Sequence, residues 1–425
     1  MTARPRRPTV ALLAGGDRFE DYYDKIGVSI ETFQTQLTGG WLFKYVDALR
    51  SVGVQSVLFF ASTKVDTPRR FIHEPSGAPV WILPNPRLHR ALRKARDRLR
   101  PGSNSLLSVA SYASTPVRTL IRTMDRERCD AILCQEYEST RFDLCVLTRR
   151  LHGLPVFAMF QGADETASWV ERPIRRSSVR HCDGLIIAAR SEIHRVRTTY
   201  GVLPEKVAQI ANPVDVASWR PIERSVARAR FQIPQDARVV AWHGHLQVWT
   251  KGLDVLLDAW DLVCADDPEG NLLLLIVGTG RNTADFRRRV EGNPRVRWVD
   301  RYVHDRSELW AYLCAADFYA LPSRHEGFAV APLEAMACGL PVVAADVSGV
   351  ADLFPGGEPD GGLIVPREDP GALAAALLRL LDDDGLARKL GARARRRAEQ
   401  EYSLDVVGGH LRGFIFPDRA SGVIS

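Results

Sequence analysis

Short runs of β-branched and leucine residues, each of strand length, recur along the first half of the chain. They lie at Thr9–Leu13, Ser56–Phe60, Ala131–Cys134, Val156–Phe160, Gly184–Ala188 and Val207–Ile210. After a break the pattern restarts at Val239–Trp242, Leu272–Val277, Val296–Val299, Phe318–Leu321, Val342–Ala344 and Gly362–Val365. Amphipathic stretches separate these runs, which predicts parallel sheets covered by helices on both faces, the α/β class. Trp41, Leu42, Tyr45, Val46 and Leu49 share one helical face, and Gly53 ends that helix. A short helix is expected between Pro332 and Cys338, entered by proline and closed by Gly339 with Pro341 beyond. Pro370–Leu381 and Leu386–Tyr402 read as two further helices.

The break near 212–237 carries Pro213, Pro221 and Pro234 and no long apolar period, as an interdomain boundary would. The expected organisation is a first domain at 1–215, a linker at 216–237, a second domain at 238–400 and a segment 401–425 crossing back to the first. Length agrees, because 425 residues are too many for one comfortable core.

Composition narrows the class. With 45% hydrophobic and 25% charged residues the chain reads as an ordinary globular protein. Its apolar runs, such as Leu272–Val277, are far short of the ~18 residues that a membrane span needs. Val10–Ala14 behind Arg4, Arg6 and Arg7 is too short for a signal peptide and reads as a buried first strand. The seven cysteines, at 129, 134, 145, 182, 264, 314 and 338, form no Cys-x-x-Cys pair. Their odd number and scatter suit buried thiols in a reducing compartment, so a cytoplasmic location is expected, with neither a zinc site nor a disulfide framework. The net charge of +6 suits an anionic partner, and no nucleic-acid-binding signature accompanies it, so nucleic acid is not expected.

The most informative segment runs from Leu321 to Val343. A strand ends at Leu321, a polar loop carries Glu326 and Gly327, and a helix bearing Glu334 follows. That order puts Glu326 and backbone N–H groups at the carboxyl end of a parallel strand, where open α/β sheets bind ligands and where amides suit a phosphate. Two carboxylates also suit a hydrolase with an acid and a base. Were the segment helical throughout, eight residues would hold them about 12 Å apart, against the roughly 5 to 9.5 Å of paired glycosidase carboxylates. The spacing fits two ends of one elongated ligand better, such as a nucleotide-sugar, with each carboxylate accepting bonds from a hydroxyl pair.

This run resembles the Glu-x7-Glu signature of the retaining, family-4 type of GT-B glycosyltransferases (glycosyl transferases group 1). The resemblance implies two facing Rossmann-like domains and a nucleoside-diphosphate-sugar donor, UDP- or GDP-linked, with no cofactor and no metal. It implies that Glu326 holds the donor sugar's hydroxyls and Glu334 those of the ribose, with Gly327, Phe328 and Ala329 beside sugar and phosphates. The segment Trp242–Trp260 is similar to the family's Gly-Arg-Leu…Lys-Gly element, whose cations neutralise the leaving diphosphate. Lys251 matches, and His245 stands where the family has arginine, without arginine's bidentate grip. Gly39-Gly40 resembles the glycine loop facing the donor phosphates, Ile276–Gly280 with Gly278 the nucleotide-side turn, and Asp300–Val303 with Tyr302 the nucleobase loop. Gln161 takes roughly the place of a histidine that contacts the donor sugar in many relatives. Gln161 and Glu136, both at strand ends, are the candidates for sugar or acceptor contact, and capping helices is an equal reading for the acidic residues there.

The resemblance leaves the acceptor open among a glycan, a lipid-linked glycan and a small molecule. It implies a front-face mechanism in which the leaving phosphate takes the acceptor's proton. Arg87 to Arg100 holds seven Lys/Arg against Asp97, with an apolar stripe of Leu88, Ala91, Leu92, Ala95 and Leu99. Such a helix suits peripheral contact with an anionic membrane at its inner face, against the commoner reading of a solvated helix face. Asp382-Asp383-Asp384 looks like a metal motif but falls in a turn between helices, so it reads as solvated charge. The rival readings are a phosphorylase or hydrolase on the same scaffold and a catalytically silent nucleotide-sugar-binding or membrane-scaffold protein. A dehydrogenase is disfavoured, since no Gly-x-Gly-x-x-Gly follows the first strand.

Overall fold

The computed structural model describes residues 6–38, 41–98, 110–162, 168–280 and 283–417. The chain forms two compact units, Met1–Ala211 together with Gly408–Ser425, and Asn212–Val407. The stretch 216–237, expected as a linker, is therefore part of the second unit. It carries the helix Arg224–Arg230, whose buried Arg228 donates to the Ala315 carbonyl at 3.1 Å and to Asp317 at 2.8 Å.

In the first unit the strands are β1 (Thr9–Leu13), β2 (Gln55–Ser62), β3 (Arg69–Ile72), β4 (Pro79–Pro84), β5 (Ala131–Cys134), β6 (Val156–Met159), β7 (Gly184–Ile186) and β8 (Val207–Ala208). They are ordered β3-β4-β2-β1-β5-β6-β7-β8, parallel except for the β3–β4 pair. Neither β3 nor β4 is anticipated by the apolar pattern. Val80–Leu83 is a short run between two prolines, and β3 is an edge strand that buries only Phe71. The core beneath β1, β2 and β5 gathers Phe59, Trp81, Tyr137 and Phe142. Within it Arg175 and Asp143 form an ion pair whose side chains are 3% and 0% exposed, with Nε 3.0 Å from the carboxylate. The Tyr112 hydroxyl donates to the same carboxylate at 2.7 Å.

The second unit has β9 (Arg238–His243), β10 (Leu272–Val277), β11 (Val296–Val299), β12 (Phe318–Leu321), β13 (Val342–Ala345) and β14 (Gly362–Val365). Its order is β11-β10-β9-β12-β13-β14, parallel at every pairing. Every residue of β10 is buried, because helices cover both faces of the sheet, and each leucine there contributes about 1.5–3 kcal/mol. Asp383 accepts the Leu386 N–H at 2.8 Å and caps the helix Asp384–Glu401, so the aspartate run has a structural use.

The last helix, Leu404–Ile415, returns the chain to the first unit from Gly408 onward. A Cβ on Gly408 would lie 2.1 Å from the Ala48 carbonyl oxygen, so only glycine permits that approach. Phe414 packs on Phe157 with ring centroids 5.6 Å apart. Both sheets change strand direction of growth at one place, between β1 and β5 and between β9 and β12. The crevices outside the carboxyl ends of those pairs are where such sheets bind ligands.

Candidate active site

The loops that leave β9, β10 and β12 are drawn together by missing side chains. Gly278 has φ +141°, and a Cβ there would sit 2.0 Å from the Gly244 carbonyl oxygen. The loops then pair, with the Leu246 N–H donating to the Thr279 carbonyl at 2.9 Å. Gly252 has φ +62°, and its Cβ would meet the Pro322 carbonyl oxygen at 2.0 Å. That close approach seats Lys251 against the loop after β12. Arg324 locks the arrangement, its guanidinium 2.7 and 2.8 Å from the two carboxylate oxygens of Asp254.

Lys251 Nζ lies 2.8 and 2.9 Å from the two carboxylate oxygens of Glu326, and the Ser323 hydroxyl donates to Glu326 at 2.7 Å. Glu334 stands in the first turn of the helix Ala331–Ala337. Its carboxylate is 2.8 Å from Nε2 of His243, the last residue of β9. The carboxyl groups belong to side chains only 8% and 10% exposed, a placement that costs free energy unless each is paired. Tyr319 places its ring 5.5 Å from His243 and its hydroxyl donates to the His243 carbonyl at 3.3 Å. His243 is the site residue that sequence reading misses. Its one signal is a second histidine in Trp242-His-Gly-His245, and periodicity alone assigns it to the strand.

Phe328 and Ala329 are buried, and the Phe328 carbonyl accepts from the Asn212 amide at 2.8 Å. A Cβ on Gly349 would lie 2.4 Å from the Gly327 carbonyl oxygen, so this loop too is held by a glycine contact. His245 is exposed in the loop after β9. Gly278 follows β10, and Tyr302 follows β11 with its ring 4.9 Å from that of His304. Lys251, Glu326, Glu334, Gly327, Phe328, Ala329, His245, Gly278 and Tyr302 thus all lie on loops or helix starts just past β9 to β12, whereas Gly39 and Gly40 fall outside the described residues.

In the first unit Glu136 and Gln161 meet. The Gln161 backbone N–H donates to the Glu136 carboxyl at 3.0 Å and the Glu138 N–H at 3.2 Å, while the Gln161 amide reaches the Tyr45 hydroxyl at 3.4 Å. Some of Glu136 reaches the surface, yet its carboxyl sits among protein atoms, and burial pushes it up to about 8 against the pull of the two N–H bonds. A cavity of 530 Å³ opens beside it, outside the carboxyl ends of β1 and β5.

Among the described residues no three His, Cys, Asp or Glu side chains gather as a metal ion would require. Among the same residues no helix is long and apolar enough to cross a membrane.

Two family models match the chain, Glycosyltransferase Family 4 over residues 42–218 and Glycosyl transferases group 1 over residues 237–383. The chain belongs to the family-4, group 1 glycosyl transferases. A D-inositol 3-phosphate glycosyltransferase of Jonesia denitrificans is 35% identical over 233 residues, covering 52% of this chain and 54% of that protein. The chain thus spans about half the length of the curated relatives it matches. Among solved structures, sucrose-phosphate synthase from Thermosynechococcus elongatus superposes with a TM-score of 0.70 at 20% identity, covering 95% of this chain and 97% of that one. Anabaena HepE in complex with UDP gives 0.69 at 16% identity, covering 95% and 98%. Identities this low speak to fold, and the fold of this group 1 chain is the α/β GT-B fold.

Proposed function

We propose that the chain transfers a sugar from a UDP- or GDP-linked donor to an acceptor hydroxyl with retention of configuration. The observation that carries this reading is the Lys251–Glu326 pair with Glu334 beyond it, at the carboxyl end of β12. Lys251 and Glu326 neutralise each other. An arriving diphosphate takes over the ammonium group, and Glu326 turns its oxygens to the sugar hydroxyls. Glu334, steadied by His243, accepts from the ribose hydroxyls. The bond between the anomeric carbon and the diphosphate oxygen breaks, the acceptor oxygen bonds to that carbon from the same face, and the departing phosphate takes the hydroxyl proton. Stabilising the developing charge on the diphosphate is then the main catalytic effect. The acceptor is a glycan, a lipid-linked glycan or a small molecule.

Glu334→Ala tests the reading. Charged hydrogen bonds contribute about 1.5–3 kcal/mol each, so donor affinity falls roughly ten- to hundredfold. Turnover at saturating donor changes far less. Calorimetric titration with a panel of nucleotide-sugars, and slow donor hydrolysis followed by mass spectrometry, measure both quantities. Unchanged affinity across the panel removes the assignment of this carboxylate.

Peripheral contact with an anionic membrane belongs to the same proposal. Leu88 is 63% exposed on the helix Arg87–Arg98, next to Arg87. Sedimentation with phosphatidylserine vesicles is expected to weaken severalfold when Arg87, Arg90, Arg93 and Lys94 become glutamine; equal sedimentation refutes the contact.

A further inference from the structure

A lysine carries its charge at the end of a flexible stem, so the reach of Lys251 is only as defined as the backbone that bears it. That backbone is gripped by Arg324, which stands two residues before Glu326 on the loop after β12. The Arg324 backbone N–H donates to the Thr250 carbonyl at 2.9 Å. Its Nη1 donates to the Trp249 carbonyl at 2.7 Å, and the guanidinium lies 5.4 Å from the centroid of the Trp249 ring. These are the carbonyls of the two residues directly before Lys251.

The same guanidinium draws in two further elements. Nη1 and Nη2 meet the two carboxylate oxygens of Asp254 at 2.7 and 2.8 Å. Asp254 lies in the first turn of the helix Leu253–Asp266, just past Lys251, so the lysine is held from both sides along the chain. Nε donates to Glu368, on the loop after β14, at 2.8 Å. Glu368 takes φ +60°, a left-handed backbone that a residue with a Cβ adopts at a cost and keeps only where its surroundings over-determine it. The Arg324 side chain is only 11% exposed, and Nε and both Nη atoms already donate within the protein. It is placed to tie loops together rather than to meet a phosphate. A planar fork reaches three groups in fixed directions, which an ammonium group cannot do.

We infer that Arg324 is a positioning residue for Lys251. It braces the stretch 249–254 against the loops after β12 and β14, and so sets where the ammonium group stands relative to Glu326 and the leaving diphosphate. Glu368 acts on Lys251 through it, from a strand end that carries none of the donor-binding residues. The inference rests on the reading that the chain is a glycosyltransferase whose Lys251 stabilises that diphosphate.

The test uses the full chain, with UDP-glucose and GDP-mannose as donors. Sugar released to water is followed by mass spectrometry, donor affinity by calorimetry, and melting is recorded for every variant. Arg324→Ala is expected to slow hydrolysis about 100-fold, the scale of a misplacement by about 1 Å. Its donor affinity changes less than about threefold, because the loss falls on the chemical step. Arg324→Lys keeps the charge without the fork and recovers to within about tenfold of the parent rate. The deciding comparison repeats Arg324→Ala in a Lys251→Ala background. A residue that acts through Lys251 then costs less than about threefold more, whereas a full further loss of about 100-fold marks damage independent of Lys251 and overturns the inference. A parent-like rate in Arg324→Ala overturns it as well. Glu368→Gln, expected to slow hydrolysis about fivefold by weakening one charged hydrogen bond, runs through the same cycle and keeps the test decisive if Arg324→Ala folds poorly. Amide hydrogen exchange of the chain alone gives a readout free of activity. Exchange at 249–254 is expected to rise about tenfold in Arg324→Ala while β10 stays protected, and unchanged exchange there overturns the inference. A parent chain that binds neither UDP nor GDP counts against the glycosyltransferase reading alone, and the exchange result still decides whether Arg324 holds Lys251 in place.

Discussion

Lys251→Ala is expected to lower turnover about 100- to 1000-fold, the usual cost of removing one preorganised charge from a developing anion. The ammonium group lies 2.8 Å from Glu326, so the loop and its helix start hold it in place. Two effects combine in the variant. The diphosphate loses its nearest cation, and Glu326 keeps a carboxylate that is 8% exposed with no ammonium partner. The second effect costs stability, so melting temperature is recorded alongside rate. Lys251→Arg restores the charge but not the compact geometry, and an intermediate rate is expected. Single-turnover kinetics at saturating donor separate the chemical step from binding. A normal rate in the alanine variant would show that charge at this position plays no part in the reaction.

The largest effect on stability is expected at Asp143. Its carboxylate is fully buried against Arg175, and Tyr112 donates to it from a third element. Burial raises the pKa of the Asp143 carboxyl and the guanidinium pulls it down. Removing one partner strands the other, a loss of about 3–5 kcal/mol. For a unit of some 200 residues that lowers Tm by roughly 6–20 °C. Asp143→Ala is therefore expected to melt far earlier by calorimetry. The double variant Asp143→Leu with Arg175→Met, which removes both charges, recovers most of the loss. A single variant that melts within 2 °C of the parent, below the ~6 °C expected, would show that the pair is not energetically coupled to the fold.

The sequence is legible where one local rule decides the outcome. Leu272–Val277 is apolar at every position and is the fully buried β10, with the same bounds. The Glu326–Glu334 run is readable because strand end, glycine loop and proline-entered helix follow one another within a few residues. Legibility fails where the deciding contact is distant. The stretch around Pro213 to Pro234 lacks an apolar period, yet Arg228 ties it to Asp317 in the second unit. β3 buries a single phenylalanine and becomes a strand only because β4 lies beside it. His243 looks like the end of a strand until the fold brings Glu334, 91 residues later, to its ring.

The central claim is that the loops past β9 and β12 hold the diphosphate end of a nucleotide-sugar. Amide hydrogen exchange, read by mass spectrometry with and without saturating UDP or GDP, tests it most directly. The account predicts slowed exchange at residues 243–253 and 322–336 with whichever nucleotide binds, and a loss of that protection in Glu334→Ala. Binding that protects neither segment, or protection confined to other parts of the chain, would contradict it.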